Sequence, residues 1–348
     1  MKIKEIFKKK NLHRRDKYYF IAEVGVNHEG SMSLAKRLIR EAKNAGANAV
    51  KFQTYKAKYI ASKYAKAYWD TKKEKCKNQY ELFKKYDQFN EKEYAELKKY
   101  CTKIKIDFMS TPFDLESAKF LNKYVSCFKI SSSDITNYPL LKLISSFKKP
   151  VILSTGASNL KEITSAVKIF KNNELVLLHC ILNYPTKRKN INMGMMLDLK
   201  KKFPTRIIGY SDHSEAKEKD VLELAVLLGA KVIEKHFTFN KKLPGNDHYH
   251  AYDQKDLKNF KNNLKKKFEI IGSYKKDFIK TEIISRKNAR RSLYISKNIN
   301  KGQKLTSDKL ISLRPAIGIS PMMYKKVLGK RLIKNMSKGD LIKPSNLK

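Results

Sequence analysis

The sequence predicts a parallel (β/α)8 barrel, an α/β fold of the TIM type, followed by a small β-rich domain, and three observations predict it. Short apolar, β-rich runs alternate with amphipathic helical stretches eight times between residues 18 and 275. Each of the eight runs ends in polar residues. Beyond residue 275 the alternation stops, and short runs broken by Gly302, Pro315, Gly318 and Pro321 take its place. At 348 residues the chain can hold a barrel-sized unit and something smaller.

Taken in order, residues 1–17 (MKIKEIFKKKNLHRRDK) are positively charged with no long apolar run behind them. They read as an exposed basic leader and not as a secretory signal. Strands are expected at 18–26, 49–53, 107–111, 127–131, 150–155, 175–180, 206–211 and 231–237. Apolar residues at helical spacing fall between them, as in Leu34, Leu38 and Ala42, or Val221, Leu224, Ala225 and Leu228. Segment 56–92, rich in Lys and Tyr, is an insertion in the second unit, expected as a lid or loop domain near the site. The barrel is expected over 18–275, a linker over 276–287 and the small domain over 288–348.

Composition narrows the function classes. The 76 basic and 33 acidic residues give a formal charge of +43. The excess is mostly Lys spread along the whole chain, without an arginine-rich stripe or an aromatic-flanked basic motif. We therefore expect a solvated lysine surface that attracts anionic substrates, and no nucleic-acid partner; a lysine-rich nucleic-acid-binding protein is the non-enzymatic alternative. No stretch approaches the roughly 18 apolar residues of a spanning helix, so no membrane partner is expected. Cys76, Cys101, Cys127 and Cys180 lack C-x-x-C spacing, which suits a reducing cytoplasm.

In such a barrel the chemistry sits at the C-terminal strand ends. His213 and His236 end the adjacent seventh and eighth strands, so both imidazoles can meet one Mn2+, Zn2+ or Fe2+ ion with coordination positions left open. Lys51 and Lys129 lie in apolar strands aimed at the same rim, near Ser131, Ser132, Ser154, Thr155 and Ser211. A buried ammonium needs an anionic partner: a bound phosphate or carboxylate, or else Glu23 or Asp134. Glu23 and Asp134 are the candidate acid/base groups. Asp247 follows strand eight in LPGNDHYH, placed either to bind a polyol or to form an Asx turn.

Taken together, IAEVGVNHEG, AVKFQT, FMSTPFD, FKISSSD, LSTGAS, HCILNYPT, GYSDHS, VIEKHFT, RRSLYI and LRPAIGIS resemble the sialic acid synthase family from about residue 18 to 346, in order and spacing. The resemblance implies a barrel plus an antifreeze-like (SAF, β-clip) domain, a domain-swapped homodimer, and condensation of phosphoenolpyruvate with an N-acylated amino sugar to a nine-carbon 2-keto acid. It places phosphoenolpyruvate on Lys51, Thr111, Lys129, Ser132, Ser154, Asn183 and Ser211, and a divalent ion, usually Mn2+, on His213 and His236. The sugar, N-acetylmannosamine or a 2,4-diacetamido-6-deoxy analogue, would meet Glu23, Gln53, Asp134, Tyr184, Asp247 and a partner's Arg314. Two stretches depart from the family pattern: SSSD after strand four, and GNDHYHAYD after strand eight, where His250 and Asp253 are expected as extra polar groups beside the sugar. Another phosphoenolpyruvate- or aldolase-type barrel enzyme is the nearest alternative.

Overall fold

A computed structural model describes residues 2–8, 16–69, 71–72, 74–245 and 247–348. The chain divides into two compact units, Met1–Ile270 and Ile271–Lys348. In the first, the eight strands are β1 (Tyr19–Gly25), β2 (Ala49–Thr54), β3 (Asp107–Pro112), β4 (Phe128–Ile130), β5 (Val151–Ser154), β6 (Leu175–Cys180), β7 (Ile207–Asp212) and β8 (Val232–His236). They form one parallel sheet in the order β3-β2-β1-β8-β7-β6-β5-β4. The two end strands, β3 and β4, lie side by side and close the ring.

Burial on both faces explains the composition of the strands. One side chain in two points outward under the helices, as Phe20, Ala22 and Val24 do in β1, and joins the large outer core. The alternate set fills the lumen, where Tyr19, Ile21, Ala49, Met109, Cys127, Ile152, Val176, Leu178, Ile207 and Val232 pack into one cluster. The lumen is narrow at Gly209, since a Cβ there would sit 2.2 Å from the Val232 carbonyl oxygen. Continuing the same alternation two residues further up each strand brings the polar residues inside. Helices between the strands start on side-chain caps, such as Ser31 accepting from Leu34 N and Asp114 accepting from Ser117 N.

The leader differs from the exposed segment expected. Residues 9–15 lie outside the described residues, but Ile3–Ile6 is a helical turn whose Ile3 and Ile6, three positions apart, are both buried in the lumen cluster. Asp107 at the start of β3 anchors it, accepting from Ile3 N at 3.0 Å, Lys2 Nζ at 2.7 Å and Tyr19 Oη at 2.7 Å. The turn plugs the bottom of the barrel. Each isoleucine so buried contributes about 1.5–3 kcal/mol, and a pair spaced i, i+3 is too short a signal to stand out among lysines.

The insertion carries helices Ala57–Ile60 and Gln79–Tyr86. Among the described residues, no helix is long and apolar enough to cross a membrane. The second unit pairs β9 (Ser292–Ile295) antiparallel with β10 (Leu310–Leu313) over a small core that includes Leu293, Ile295, Ile299, Leu305, Leu332 and Ile342. Lys280–Glu282, inside the stretch expected as linker, and Ile283–Ala289, which runs two residues past it, are helical and exposed.

Candidate active site

Above the apolar layers the lumen holds four buried charges. Lys51 Nζ lies 2.5 Å from Glu23 Oε2 and 3.9 Å from Glu234 Oε2, and it donates to Thr111 Oγ1 at 3.0 Å. Lys129 Nζ lies 3.4 Å from Glu234 Oε1, which also accepts from Ser211 Oγ at 3.0 Å. Gln53 Nε2 donates to Glu23 Oε1 at 3.2 Å. Register accounts for the grouping: Glu23 sits opposite Lys51 on one side and His236 on the other. Burial, with Glu234 adding to it, raises the Glu23 carboxyl to about 7 against the pull of Lys51. Burial works the other way on Glu234, but Lys129 and Lys51 hold it below the usual carboxylate range. Burial lowers the pKa of the Lys129 ammonium, with Glu234 opposing that shift. Two buried lysines, each beside a carboxylate, thus face one enclosed space with the Thr111 and Ser211 hydroxyls.

The Ser154 hydroxyl also lines this cavity, buried and without a hydrogen-bond partner among the described residues. Ser132 Oγ accepts from Gly156 N at 2.9 Å, a contact that needs glycine because a Cβ on residue 156 would lie 2.9 Å from that same oxygen. His213 is oriented from behind: its Nδ1 is 2.7 Å from the Ile181 carbonyl and 3.7 Å from Cys180 Sγ, while Tyr184 lies over its ring with centroids 4.1 Å apart. The neighbouring pair Lys235 and Asp212, 2.6 Å apart, points outward from the lumen and ties β8 to β7.

A second cavity opens directly outside the first and shares Gln53, Tyr184 and His236 with it. Its walls are mostly aromatic and come largely from the insertion: Tyr68, Trp69, Leu82, Phe83 and Tyr86, with Tyr55 from the end of β2. Asp247 and Asn27 supply polar groups. One ligand atom each of His236, Asp247 and His250 lies within 4.8 Å of the others, and His236 Nδ1 is buried. The His236 ring also lies beside His213, centroids 5.5 Å apart. Burial, together with the adjoining His250 and His213, drives His236 well below the usual imidazole pKa. The neutral, ligating form therefore dominates at pH 7, and the donor set fits a divalent ion.

A deep lysine-lined compartment, a histidine-carboxylate cluster and an aromatic antechamber thus share one barrel mouth. Residues 38–276 match the model of the NeuB family. This chain belongs to the NeuB family. Residues 290–348 match the SAF domain. N,N'-diacetyllegionaminic acid synthases from Campylobacter jejuni and Legionella pneumophila are 39% and 38% identical to it, covering 94% and 92% of this chain and 99% and 92% of theirs. Among solved structures, the N-acetylneuraminic acid (sialic acid) synthetase of Leptospira borgpetersenii, in complex with citrate, is 35% identical. That likeness covers 78% of this chain and 90% of that one, with a TM-score of 0.68. This NeuB-family protein is a transferase of the N-acetylneuraminate synthase type.

The NeuB-family barrel brings together most of the residues singled out in its sequence. Glu23, Lys51, Gln53, Thr111, Lys129, Ser132, Ser154, Tyr184, Ser211, His213 and His236 line the inner cavity. Asp247 lines the outer one. Asp134 and Asn183 line neither: the Asp134 carboxylate accepts from Asn137 Nδ2 and Ser133 Oγ, and Asn183 is exposed on the loop after β6. Thr155 Oγ1 donates to the Leu178 carbonyl and stays with the strand. Asp253 is not beside the pocket either; it pairs with Lys241 and accepts from Asp256 N at the start of Gln254–Ile271. Arg314 belongs to the second unit, exposed just after β10. The residue that sequence reasoning missed is Glu234. Counting back two positions from the lumen-facing His236 would have found it.

Proposed function

We propose that this chain condenses phosphoenolpyruvate with an N-acylated amino sugar and water, giving a nine-carbon sialic-acid-type 2-keto acid and phosphate. The observation that carries this reading is the lumen pair Lys51 and Lys129 with the buried Ser154 hydroxyl, opening onto an aromatic cavity through Gln53, Tyr184 and His236. The inner compartment suits a compact polyanionic donor, the outer one a larger polyol with apolar substituents. Lys51, Lys129, Thr111, Ser132, Ser154 and Ser211 hold the carboxylate and phosphate, which fixes C3 of the donor toward the outer cavity. Asn183 is a further phosphoenolpyruvate contact on this reading. Gln53, Tyr184 and Asp247 orient the open-chain sugar so that its aldehyde carbon faces C3.

His236 and His213 would hold a divalent ion, Mn2+ on this reading, which would polarise the aldehyde oxygen. Bond formation between C3 and the aldehyde carbon leaves a cationic C2 and an alkoxide, which becomes a hydroxyl by taking the proton that Glu23 draws from the incoming water; the second water proton leaves with phosphate. Water adds to C2, Glu23 takes its proton, and the tetrahedral carbon expels phosphate as the 2-keto group forms. Asp134, though turned to Asn137, is the second acid/base candidate. The aromatic lining of the outer cavity favours a 2,4-diacetamido-6-deoxy sugar, whose methyl and acyl groups are apolar, over N-acetylmannosamine. The relatives from Legionella and Campylobacter, named for N,N'-diacetyllegionaminic acid, support the same choice.

The working unit on this reading is a cytoplasmic homodimer in which Arg314 of each SAF domain meets the N-acyl group in the other copy's barrel. The cysteines support the compartment, since all four are free. Incubation with phosphoenolpyruvate, Mn2+ and either sugar should release phosphate and a keto acid, with the higher kcat/KM for the diacetamido sugar. Phosphate release with neither sugar overturns the proposal.

A further inference from the structure

We infer that His250 and Asp247 join His236 as protein ligands of the divalent ion, so that the loop after β8 contributes two ligands beside those at the strand ends. The inference rests on the proposed function only in taking the ion to bind at this barrel mouth. His236 Nδ1 and Asp247 Oδ2 are 3.5 Å apart, and the ligand atom of His250 lies within 4.8 Å of both. With bonds of about 2.1 Å to N and O, neighbouring donors in a tetrahedral or octahedral shell lie roughly 3.0–3.4 Å apart, and opposite ones about 4.2 Å. Small side-chain rotations close the remaining gap.

His250 is wholly buried and its ring packs against His236 with centroids 4.8 Å apart. The loop that carries it is bound to the barrel at several points. Tyr252 N donates to the His236 carbonyl at 2.8 Å, so the ligand strand and the ligand loop are joined directly. Asn27 Nδ2 bridges the Phe237 and Asp247 carbonyls at 3.1 and 3.2 Å, and Tyr249 Oη donates to the Tyr184 carbonyl at 3.0 Å. Gly245, at φ +114°, makes the turn before Asp247, a backbone conformation that side chains strain against. Ligands held this way need little ordering when an ion enters.

Two imidazoles and one carboxylate form a borderline donor set with positions open toward the cavities, which favours Mn2+, Fe2+, Co2+ or Zn2+ over Ca2+. His213 is separately fixed by the Ile181 carbonyl and covered by Tyr184. It can add to the set, but the three-ligand arrangement does not depend on it. Asp247 then acts through the ion as well as on the sugar.

The test is metal binding to the full-length, chelator-stripped protein, read without turnover. Mn2+ affinity is measured by calorimetry, and directly bound nitrogens are counted by pulsed electron paramagnetic resonance. His250→Ala should weaken Mn2+ binding by at least about 10- to 100-fold, the loss typical of an outer-shell partner alone, and should remove one bound nitrogen. Asp247→Asn should weaken binding while leaving the nitrogen count intact. His250→Gln, closer in volume, serves if circular dichroism shows His250→Ala unfolded. A His250 variant that binds Mn2+ within twofold of wild type, with the same nitrogen count, overturns this inference and leaves the proposed reaction standing. Wild-type protein that binds no divalent ion overturns both.

Discussion

At the scale of single residues, Glu23 sets the pH response. Its carboxyl titrates near 7 because it is buried beside Glu234, and Lys51 offsets only part of that cost. If it takes the proton of the attacking water, kcat/KM should rise as pH increases through about 7. Glu23→Gln should flatten that limb and lower kcat by about 10²- to 10⁴-fold; a limb that persists in the variant removes Glu23 from the role. Stability moves in the opposite direction. The carboxyl binds its proton more tightly in the folded chain, near 7, than at the ordinary 4.5. Its contribution is therefore full below about 4.5 and is lost as pH rises through 7. Urea unfolding should show Glu23→Gln gaining relative to wild type at pH 8 compared with pH 5. Glu23, Lys51 and Lys129 were legible in the sequence because charges inside apolar strands demand a reason. Glu234 sits in the polar triplet Glu-Lys-His, where identity alone does not separate the lumen-facing Glu234 and His236 from Lys235, which pairs with Asp212 behind the sheet. Asp253 was misplaced for a related reason: an aspartate near a pocket loop and one that caps the next helix look alike before the helix start is known.

Among the elements, the strands were the easiest to read, because burial on both faces leaves an apolar run with an abrupt polar end. The insertion was legible as an insertion only. Its aromatic residues carry no periodic signal, and their meaning appears once Tyr68, Trp69, Phe83 and Tyr86 stand around one cavity with Asp247. Trp69 is the informative one, buried and donating through Nε1 to the Glu74 carbonyl at 3.2 Å, while Glu74 itself pairs with Lys85. If the Trp69 indole covers an apolar substituent of the sugar, its removal forfeits about 1.5–3 kcal/mol. Trp69→Ala should therefore raise KM for the amino sugar by roughly 10- to 100-fold, with KM for phosphoenolpyruvate within about twofold of wild type. Equal increases for both substrates would show that the insertion supports the whole barrel mouth and not the sugar pocket.

Over the whole molecule, the formal charge of +43 and the two-unit architecture raise different questions. The charge is spread along the chain and defines no binding stripe; with the proposed anionic substrates it would raise their local concentration. The architecture bears on Arg314, which lies in the SAF unit while the cavities lie in the barrel unit. If each barrel takes Arg314 from a second copy, activity is a property of the pair, and complementation between two inactive variants can reveal it. Arg314→Ala leaves both barrels intact and both arginines missing; Lys129→Ala does the reverse. In a mixed dimer with exchanged domains, the intact barrel of the first variant receives the intact arginine of the second. One of the two sites is then complete. Random mixing places half of the dimers in this mixed form, so mixing after mild dissociation should restore about a quarter of wild-type turnover. Were Arg314 to serve the barrel of its own chain, every site in every mixed dimer would carry one of the two lesions, and turnover would stay at the level of the separate variants. Phosphate release before and after mixing, with each variant also dissociated and reassociated alone, distinguishes the two arrangements.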